Sequence, residues 1–236
     1  MEFNITQVDW VRDIIALLVI IVTVNSIFLL KALGCKRWQI RKIGHMILHI
    51  VVAFFPYFFD NLFDIYVSVL LALGLFLFLS AIPQIQYLQR IFKMCSREES
   101  NPWELFFNSI FTGITLLVLL WLFKDQALLF IFTAAYLTMS LGDGLGEIIG
   151  RPFGRIRYKL FSEKSLEGSL AVFVGAAIAI TISLAVNSMI MLPGVWWKIL
   201  VTAVVGTVVE ALSYKFLDNA TLPGITALML YLLFVL

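Results

Sequence analysis

Long apolar runs separated by short polar segments constrain this chain more than any other feature of its sequence. A helix of about 20 apolar residues crosses a hydrocarbon core of about 30 Å. Only helices and closed barrels satisfy all their backbone hydrogen bonds in lipid, and the sequence lacks the alternation typical of barrel strands. The runs lie near residues 11–33, 43–59, 62–81, 104–123, 126–141, 168–187, 194–212 and 221–236. They predict an all-α, polytopic transmembrane helix bundle of about eight spans, organised as a single integral membrane domain over residues 1–236.

The composition is that of a protein dissolved in lipid rather than in water. Hydrophobic residues make up 61% of the chain, whereas soluble domains contain about 45–50%. The net charge of +2 is too small for a nucleic-acid partner, because non-specific binding of nucleic acid depends on clustered basic residues. Glu2 and Asp9 precede the first apolar run without any basic residue. This pattern is unlike a cleavable signal peptide, so the first run is expected to remain as a span.

Basic residues are distributed unevenly between the two sides of this bundle. If the spans alternate through the bilayer, the segments near 31–42, 82–103, 142–167 and 213–220 lie on one side. That side then holds 14 of the 17 Lys and Arg residues, all except Arg12, Lys124 and Lys198. The positive-inside rule places it in the cytosol and both termini outside. Cys35 and Cys95 lie on the same side, so a structural disulfide is not expected.

The segment between the third and fourth runs has the pattern of an interfacial amphipathic helix. Apolar residues recur there at helical spacing, opposite a polar face. The apolar face holds Ile85, Leu88, Ile91, Phe92 and Cys95, and the polar face holds Gln86, Gln89, Arg90 and Lys93. Such a helix either covers the bundle as a linker or guides a lipid substrate.

The densest polar segment follows the fifth run and begins with two carboxylates. If the helix continues past Gly142, Asp143 and Glu147 are four residues apart and share a face. Two carboxylates at a membrane boundary suit Mg²⁺, which takes oxygen ligands and usually keeps substrate phosphates in its coordination shell. The sequence therefore predicts a magnesium site here.

Glycines recur every fourth residue in the same segment. They leave one surface without side chains, which allows either a second helix or a phosphate group to approach the backbone. Neighbouring Arg151, Arg155 and Lys164 favour phosphate, because guanidinium and ammonium groups bind it well. The start of the sixth helix, beside Gly168 and Ser169, supplies further N–H donors. The glycines are Gly142, Gly146, Gly150 and Gly154.

Other polar residues fall on the same predicted side of the membrane. They are Arg41, Lys42 and His45 before the second run, Glu210 and Ser213 at the end of the seventh, and Asp218, Asn219 and Thr221 before the eighth. Ionisable groups near membrane depth are functional candidates. The alternatives are that the basic pair only enforces topology and that Asp218 and Asn219 only form a turn or helix cap. His45 and His49 are spaced for a metal, but without a third suitable ligand we expect packing or hydrogen bonding.

These motifs together resemble the CTP-dependent lipid-alcohol kinases: phytol and farnesol kinases, dolichol kinase and the CTP-dependent diacylglycerol kinases, which are related to the phosphatidate cytidylyltransferases. The resemblance covers most of the chain. Its most specific part runs from Gly142-Asp143 through Gly150-Arg151 to Gly154, followed by Lys164-Ser165-Leu166-Glu167-Gly168-Ser169. Supporting elements are Arg41-Lys42-Ile43-Gly44-His45 and the group Asp218, Asn219, Thr221 and Pro223.

The resemblance implies a cytosolic-side active site that uses Mg²⁺ and transfers the γ-phosphoryl group of CTP to a membrane lipid alcohol. Asp143, Lys164 and Glu167 are the expected catalytic residues. Asp143 holds the metal with Glu147 or Asp218 assisting, and Glu167 is either a second metal ligand or the general base. The expected nucleotide-binding residues are Gly142, Gly146, Gly150, Arg151, Gly154, Arg155, Ser165, Gly168, Ser169, Asn219, Arg41, Lys42 and His45. The membrane is then the cytoplasmic membrane of a prokaryote, or the endoplasmic reticulum or plastid membrane of a eukaryote.

Departures from the family pattern bear on the reaction. Related cytidylyltransferases carry Ser-Pro-Lys-Lys-Thr before their Glu-Gly pair, whereas this chain has Ser162-Glu163-Lys164-Ser165. The difference favours a kinase, with CDP-lipid synthesis as the alternative. Around Asp143, Gly144-Leu145-Gly146 replaces the Ala-Tyr of many relatives. A membrane transporter is a further alternative, but the ionisable residues gather at one interface instead of along a path through the span centres. The short, compact chain resembles the phytol-kinase branch, which implies an isoprenoid alcohol of the phytol or polyprenol type in preference to diacylglycerol.

Overall fold

A computed structural model describes residues 10–59, 62–80, 90, 94, 102–213 and 217–236. Almost all of these residues are helical, which confirms the all-α prediction. The main helices are α1 (Trp10–Ala32), α2 (Arg37–Phe54), α3 (Leu62–Ser80), α4 (Pro102–Leu122), α5 (Leu129–Leu137), α6 (Gly144–Phe153), α7 (Leu166–Val186), α8 (Val195–Leu212) and α9 (Asp218–Phe234). Two short strands, β1 (Arg157–Lys159) and β2 (Glu163–Ser165), form an antiparallel hairpin.

Four helical stretches in the described part of the chain are long and apolar enough to cross a membrane. They are Trp10–Ala32, Gln126–Phe153, Leu166–Val186 and Val195–Leu212. Helix α2 carries Arg37, Arg41 and Lys42 within its 18 residues, and α9 has 17 residues, so neither is as long and as apolar as these four. The structure thus supports a membrane protein, while the count of about eight spans is not confirmed.

Helix positions agree with the apolar runs, and the largest difference is at the fifth run. The sequence ends that run near residue 141, whereas the helical stretch continues to Phe153 through a π-helical turn, Thr138–Asp143. The condition for a shared face of Asp143 and Glu147 is therefore met. The interfacial helix proposed from Ile85 to Cys95 lies outside the described residues except for Arg90 and Met94, and Cys35 is a free thiol.

The chain divides into two compact units, residues 1–117 and 118–236, and each is described by itself. In the N-terminal unit, α1 packs against α2 and α3. Ile27, Ile40 and Met94 form a buried apolar cluster. A buried polar contact joins α1 to α3, in which the Ser68 hydroxyl donates to the Asp13 carboxylate at 2.6 Å.

The C-terminal unit is built around α7. This helix packs against α5, the π-helical turn, α6 and α8, and α9 packs against α5 and α8. Every residue of α5 is buried, and the Ser183 hydroxyl donates to the carbonyl oxygen of Phe130 at 2.7 Å. This hydrogen bond joins α7 to α5, as polar side chains do between helices of membrane proteins. The unit contains most of the predicted site residues.

Candidate active site

Asp143 lies at the end of the π-helical turn that joins α5 to α6. Single π turns inside α-helices occur frequently at functional sites. Asp143 is only 6% exposed, and both α7 and α9 pack against the turn that carries it. The predicted catalytic carboxylate is therefore held at a buried junction of the C-terminal unit.

Glu147 lies one helical turn beyond Asp143 and is more exposed. Its carboxylate pairs with Arg151 on the next turn, with 3.6 Å between Oε1 and Nη1. The Arg151 side chain is 51% exposed and that of Glu147 is 23% exposed. Arg155, which follows α6, is also exposed. The two predicted phosphate-binding arginines thus reach solvent from the end of α6, and Glu147 interacts with one of them.

The glycine repeat of α6 faces α7. A Cβ atom added to Gly146 would lie 2.5 Å from a methyl carbon of Val172, and one added to Gly150 would lie 2.9 Å from the Cα atom of Gly168. A Cβ atom on Gly168 would lie 3.0 Å from the carbonyl oxygen of Gly146. Small residues are needed at these positions for the two backbones to approach. The structure thus gives the glycines a helix-packing role, and their binding of phosphate stays a prediction.

Ser165 caps the N-terminus of α7. Its hydroxyl accepts a hydrogen bond from the Gly168 N–H at 3.1 Å and donates to the carbonyl oxygen of Gly150 at 3.4 Å. The N–H of Leu166 donates to the carbonyl oxygen of Ile156 at 2.9 Å. Two N–H groups that a helix start normally leaves free are therefore paired within the protein. These contacts explain Ser165 as a cap, while its role in nucleotide binding stays a prediction.

The β1–β2 hairpin connects α6 to α7 and is attached to the helices by two side chains. Tyr158 and Lys164 are opposite each other across the hairpin. The Tyr158 hydroxyl is 2.5 Å from that of Ser169, and the Lys164 ammonium forms an ion pair with the Glu210 carboxylate. The predicted catalytic lysine therefore interacts with the C-terminal end of α8.

Glu210, a candidate from the sequence without an assigned role, is joined to this site by its ion pair with Lys164. It is 4% exposed and lies 46 positions from Lys164 in the sequence. Its place in the apolar helix α8 marks it as a candidate, because ionisable groups at membrane depth are costly. The spacing in the sequence gives no indication of its partner.

Glu167 occupies the junction between the hairpin and α7. Its two carboxylate oxygens lie 3.3 and 3.4 Å from the backbone nitrogen of Ile156, which donates to them. This contact orients the carboxylate in the first turn of α7 without burying it completely. The geometry leaves both predicted roles open, namely general base and metal ligand.

The start of α9 packs against the end of α8. The Ser213 hydroxyl is 2.7 Å from that of Thr221, and Asn219 is 6% exposed. The Asp218 carboxylate accepts a hydrogen bond from the N–H of the next residue, Asn219, at 2.9 Å, in the first turn of α9. Because α9 also packs against the π-helical turn, this polar group and Asp143 belong to neighbouring segments of one unit.

Arg41, Lys42 and His45 lie on α2 in the N-terminal unit. Lys42 is 5% exposed. The rings of His45 and His49 have centroids 4.0 Å apart, and Nδ1 of His49 donates to the backbone carbonyl of His45 at 2.7 Å. The expected hydrogen-bonding role of the histidines is thus present. The nucleotide-binding role of Arg41, Lys42 and His45 stays a prediction.

The oxygen ligands available for Mg²⁺ are the carboxylates of Asp143 and Glu147. Within the described residues, no group of three His, Cys, Asp or Glu side chains is arranged to hold a metal ion. Mg²⁺ commonly binds one or two carboxylates together with water and substrate phosphates. The Asp143 carboxylate is buried, and the Glu147 carboxylate lies one helical turn further along. These two groups fit that manner of binding, in which the nucleotide would supply the remaining ligands.

Comparisons with known proteins bear on the family. No family model and no solved structure matches the chain. It is 29% identical to a probable chloroplastic phytol kinase of Triticum aestivum over 153 residues, and this matched region covers 62% of this chain and 50% of that protein. It is 31% identical over 143 residues to probable phytol kinase 1 of Oryza sativa subsp. japonica, covering 58% of this chain and 45% of the relative.

A third relative comes from a fungus. The chain is 30% identical over 146 residues to CTP-dependent diacylglycerol kinase 1 of Schizosaccharomyces pombe, covering 57% of this chain and 62% of that protein. The matched region therefore spans about half to three fifths of the length of these relatives. These matches confirm the resemblance inferred from the motifs: over part of its length, the chain is similar to probable phytol kinases and to a CTP-dependent diacylglycerol kinase.

Proposed function

We propose that this protein is a lipid-alcohol kinase that transfers the γ-phosphoryl group of CTP to the hydroxyl group of a membrane lipid in a Mg²⁺-dependent reaction. The products are a lipid phosphate and CDP. The observation that carries the proposal is the buried carboxylate of Asp143 on a π-helical turn against which α7 and α9 pack. Similarity to phytol kinases and a CTP-dependent diacylglycerol kinase supports the reaction class.

The position of Asp143 argues for a role in chemistry rather than in stability. A carboxylate that is 6% exposed loses most of its hydration, which costs free energy unless other polar groups or a cation compensate. An apolar residue at such a position packs in a helical bundle without this cost. Ionisable residues inside apolar helices are therefore functional candidates, and phosphoryl transfer needs a carboxylate of this kind to hold a metal ion.

The groups at the α6–α7 junction supply the other requirements of phosphoryl transfer. Arg151 and Arg155 present guanidinium groups to solvent at the end of α6, where a triphosphate can reach them. Lys164 is ion-paired with Glu210, and its ammonium turns toward a phosphate oxygen when CTP binds. Positioning and charge stabilisation of this type account for most of the catalysis by kinases.

The transfer itself is a single displacement at phosphorus. The lipid hydroxyl oxygen forms a bond to the γ-phosphorus while the bond from that phosphorus to the β,γ-bridging oxygen breaks. The hydroxyl proton passes to a base, for which Glu167 is the candidate if it is not a metal ligand. Asp143 holds Mg²⁺, with Glu147 or Asp218 assisting. When bound, Mg²⁺ neutralises charge on the phosphate oxygens.

The lipid is proposed to be an isoprenoid alcohol, with diacylglycerol as the alternative. Both present long apolar chains to the bundle, and the hydroxyl lies at the membrane surface. The predicted excess of basic residues puts this surface on the cytosolic side. Two of the relatives named above are chloroplastic phytol kinases and one is a diacylglycerol kinase.

A product analysis with two labels tests the proposal. The purified protein is reconstituted in liposomes with phytol, a polyprenol, dolichol or diacylglycerol, and with CTP labelled at either the α- or the γ-phosphorus. A kinase transfers only the γ-label to lipid and releases CDP, and chelation of Mg²⁺ stops the reaction. Transfer of the α-label to lipid together with pyrophosphate release would instead establish CDP-lipid synthesis. Replacing CTP with ATP determines the preferred donor.

A further inference from the structure

The β1–β2 hairpin carries an exposed surface that is formed by β1, the residue before it and the turn after it. We name it the hairpin tip and define it by Ile156, Arg157, Lys159, Leu160 and Phe161. Its three apolar side chains belong to residues that are 55–62% exposed: Ile156 61%, Leu160 55% and Phe161 62%. Exposed apolar side chains grouped in this way mark a contact surface.

The hairpin is attached to the helices by two side chains outside the hairpin tip and by one backbone group within it. Tyr158 contacts Ser169, Lys164 pairs with Glu210, and the Ile156 backbone N–H donates to Glu167. These contacts hold the hairpin at the start of α7. The side chains of Ile156, Leu160 and Phe161 stay exposed, so they are available to a partner.

The hairpin tip continues a stripe of exposed apolar residues on α7. Every fourth residue of this helix is exposed: Leu166, Leu170, Val174, Ile178, Ile182 and Val186. The helix has 21 residues, which is a length of about 31 Å, and it is apolar enough to cross a membrane. The stripe is therefore its lipid-facing side. Because the Leu166 N–H donates to the Ile156 carbonyl at 2.9 Å, Ile156, at one end of the hairpin tip, lies beside the first residue of that stripe.

The two ends of this lipid-facing helix differ in chemistry. Beyond its C-terminal end, exposed Trp196 and Trp197 begin α8, and tryptophan is enriched at membrane interfaces. At the hairpin end, the segment from residue 151 to 162 contains four basic residues and no acidic residue. Arg157 pairs on the surface with Glu163 at 3.2 Å, and Lys159 is exposed. Basic and apolar side chains that alternate at a membrane boundary fit an anionic lipid surface.

We propose that the hairpin tip is a docking element for anionic phospholipids. Ile156, Leu160 and Phe161 enter the boundary between the headgroups and the acyl chains, and Arg157 and Lys159 bind the phosphate groups of the headgroups. The occupant is the surface of the same bilayer that surrounds α7. Charge complementarity and continuity with the lipid-facing stripe select this occupant over a soluble protein partner. The inference does not depend on which reaction the protein catalyses.

Depth-sensitive fluorescence tests the proposal on the full-length protein. Cys35 and Cys95, the two cysteines of the chain, are replaced by Ser. Phe161→Cys then carries an environment-sensitive fluorophore, and the protein is reconstituted in phosphatidylcholine with or without phosphatidylglycerol. Quenchers attached to lipid acyl chains report insertion, and aqueous iodide reports exposure to water. Arg157→Ala with Lys159→Ala removes the charges, and Lys198→Ala is the control at the opposite end of the unit.

The expected result is quenching by the lipid-attached quencher that increases about twofold when phosphatidylglycerol is present. The increase is lost in the double charge variant and kept in Lys198→Ala. Equal quenching in both lipid mixtures would overturn the proposal, as would strong quenching by iodide in phosphatidylglycerol. Protection from both quenchers would also overturn it and would indicate a protein partner. A response to added CTP instead of to anionic lipid would assign the basic residues to the nucleotide.

Discussion

Lys164 and Glu210 form an ion pair that attaches the hairpin to α8. The Glu210 side chain is 6% exposed and that of Lys164 is 22% exposed, so the pair is largely withdrawn from water. Removing one member of such a pair leaves the other charge buried without compensation. A surface pair such as Arg157–Glu163, with side chains 54% and 62% exposed, is solvated and contributes little.

We expect Glu210→Gln to lower the free energy of unfolding by about 3 kcal/mol. The matched variant Glu163→Gln is expected to lower it by less than about 1 kcal/mol. Denaturant unfolding in mild detergent, followed by circular dichroism, measures both. Equal stabilities of the two variants would show that the Lys164–Glu210 pair does not hold the hairpin in place.

Asp143 is the residue whose role is most specific to chemistry. We expect Asp143→Asn to reduce turnover by about 10²–10³-fold while the protein remains folded, because the amide cannot replace a carboxylate as a metal ligand. Asp125→Asn, at an exposed position before α5, is the control and is expected to keep full activity. Initial rates at several Mg²⁺ concentrations check this. Near-normal turnover of Asp143→Asn would remove the residue from the active site.

At the level of helices, the contact between α6 and α7 determines the position of the hairpin. The Cβ atom of an alanine at position 150 would lie 2.9 Å from the Cα atom of Gly168 and 3.0 Å from the Ser165 hydroxyl. Both neighbours belong to the start of α7, and one is backbone. A substitution there forces the two helices apart, whereas Gly224 on α9 has no atom within 4 Å of such a Cβ.

Gly150→Ala is therefore expected to destabilise the protein by about 1–3 kcal/mol. Gly224→Ala is the matched control, and it should leave stability unchanged or raise it by up to about 1 kcal/mol because alanine favours helix. Unfolding in detergent compares the two. Unchanged stability of Gly150→Ala combined with a raised KM for CTP would contradict the packing role and favour contact of this glycine with phosphate.

Much of this architecture could be predicted from the sequence, and the exceptions have physical causes. The apolar runs place α7 and α8 within two residues of their observed starts, Leu166 and Val195, because lipid requires continuous apolar helices. The π-helical turn that ends at Asp143 is not predicted from the sequence. Its wider backbone turn forms where the segment packs against α7 and α9, and those contacts are not visible in the local sequence. The glycine repeat left two alternatives for the same reason, because its neighbour on α7 is remote in the sequence.

At the level of the whole molecule, the apolar helices and the similarity to lipid kinases both indicate a protein that works at a membrane. Four helices of the described chain are apolar enough to span a bilayer, and the relatives are phytol and diacylglycerol kinases. The matched region covers only 45–62% of the relatives named above. The proposed phosphoryl transfer is therefore tested with this chain alone.

The most direct measurement is the stoichiometry of the reaction catalysed by the purified chain alone in liposomes. CDP and lipid phosphate are quantified together for the natural chain and for Asp143→Asn, with CTP, Mg²⁺ and a lipid alcohol supplied. We expect one CDP for each lipid phosphate formed by the natural chain, and at least about a hundredfold less of both products from the variant. CDP release without lipid phosphate, or equal product from both proteins, would contradict this expectation.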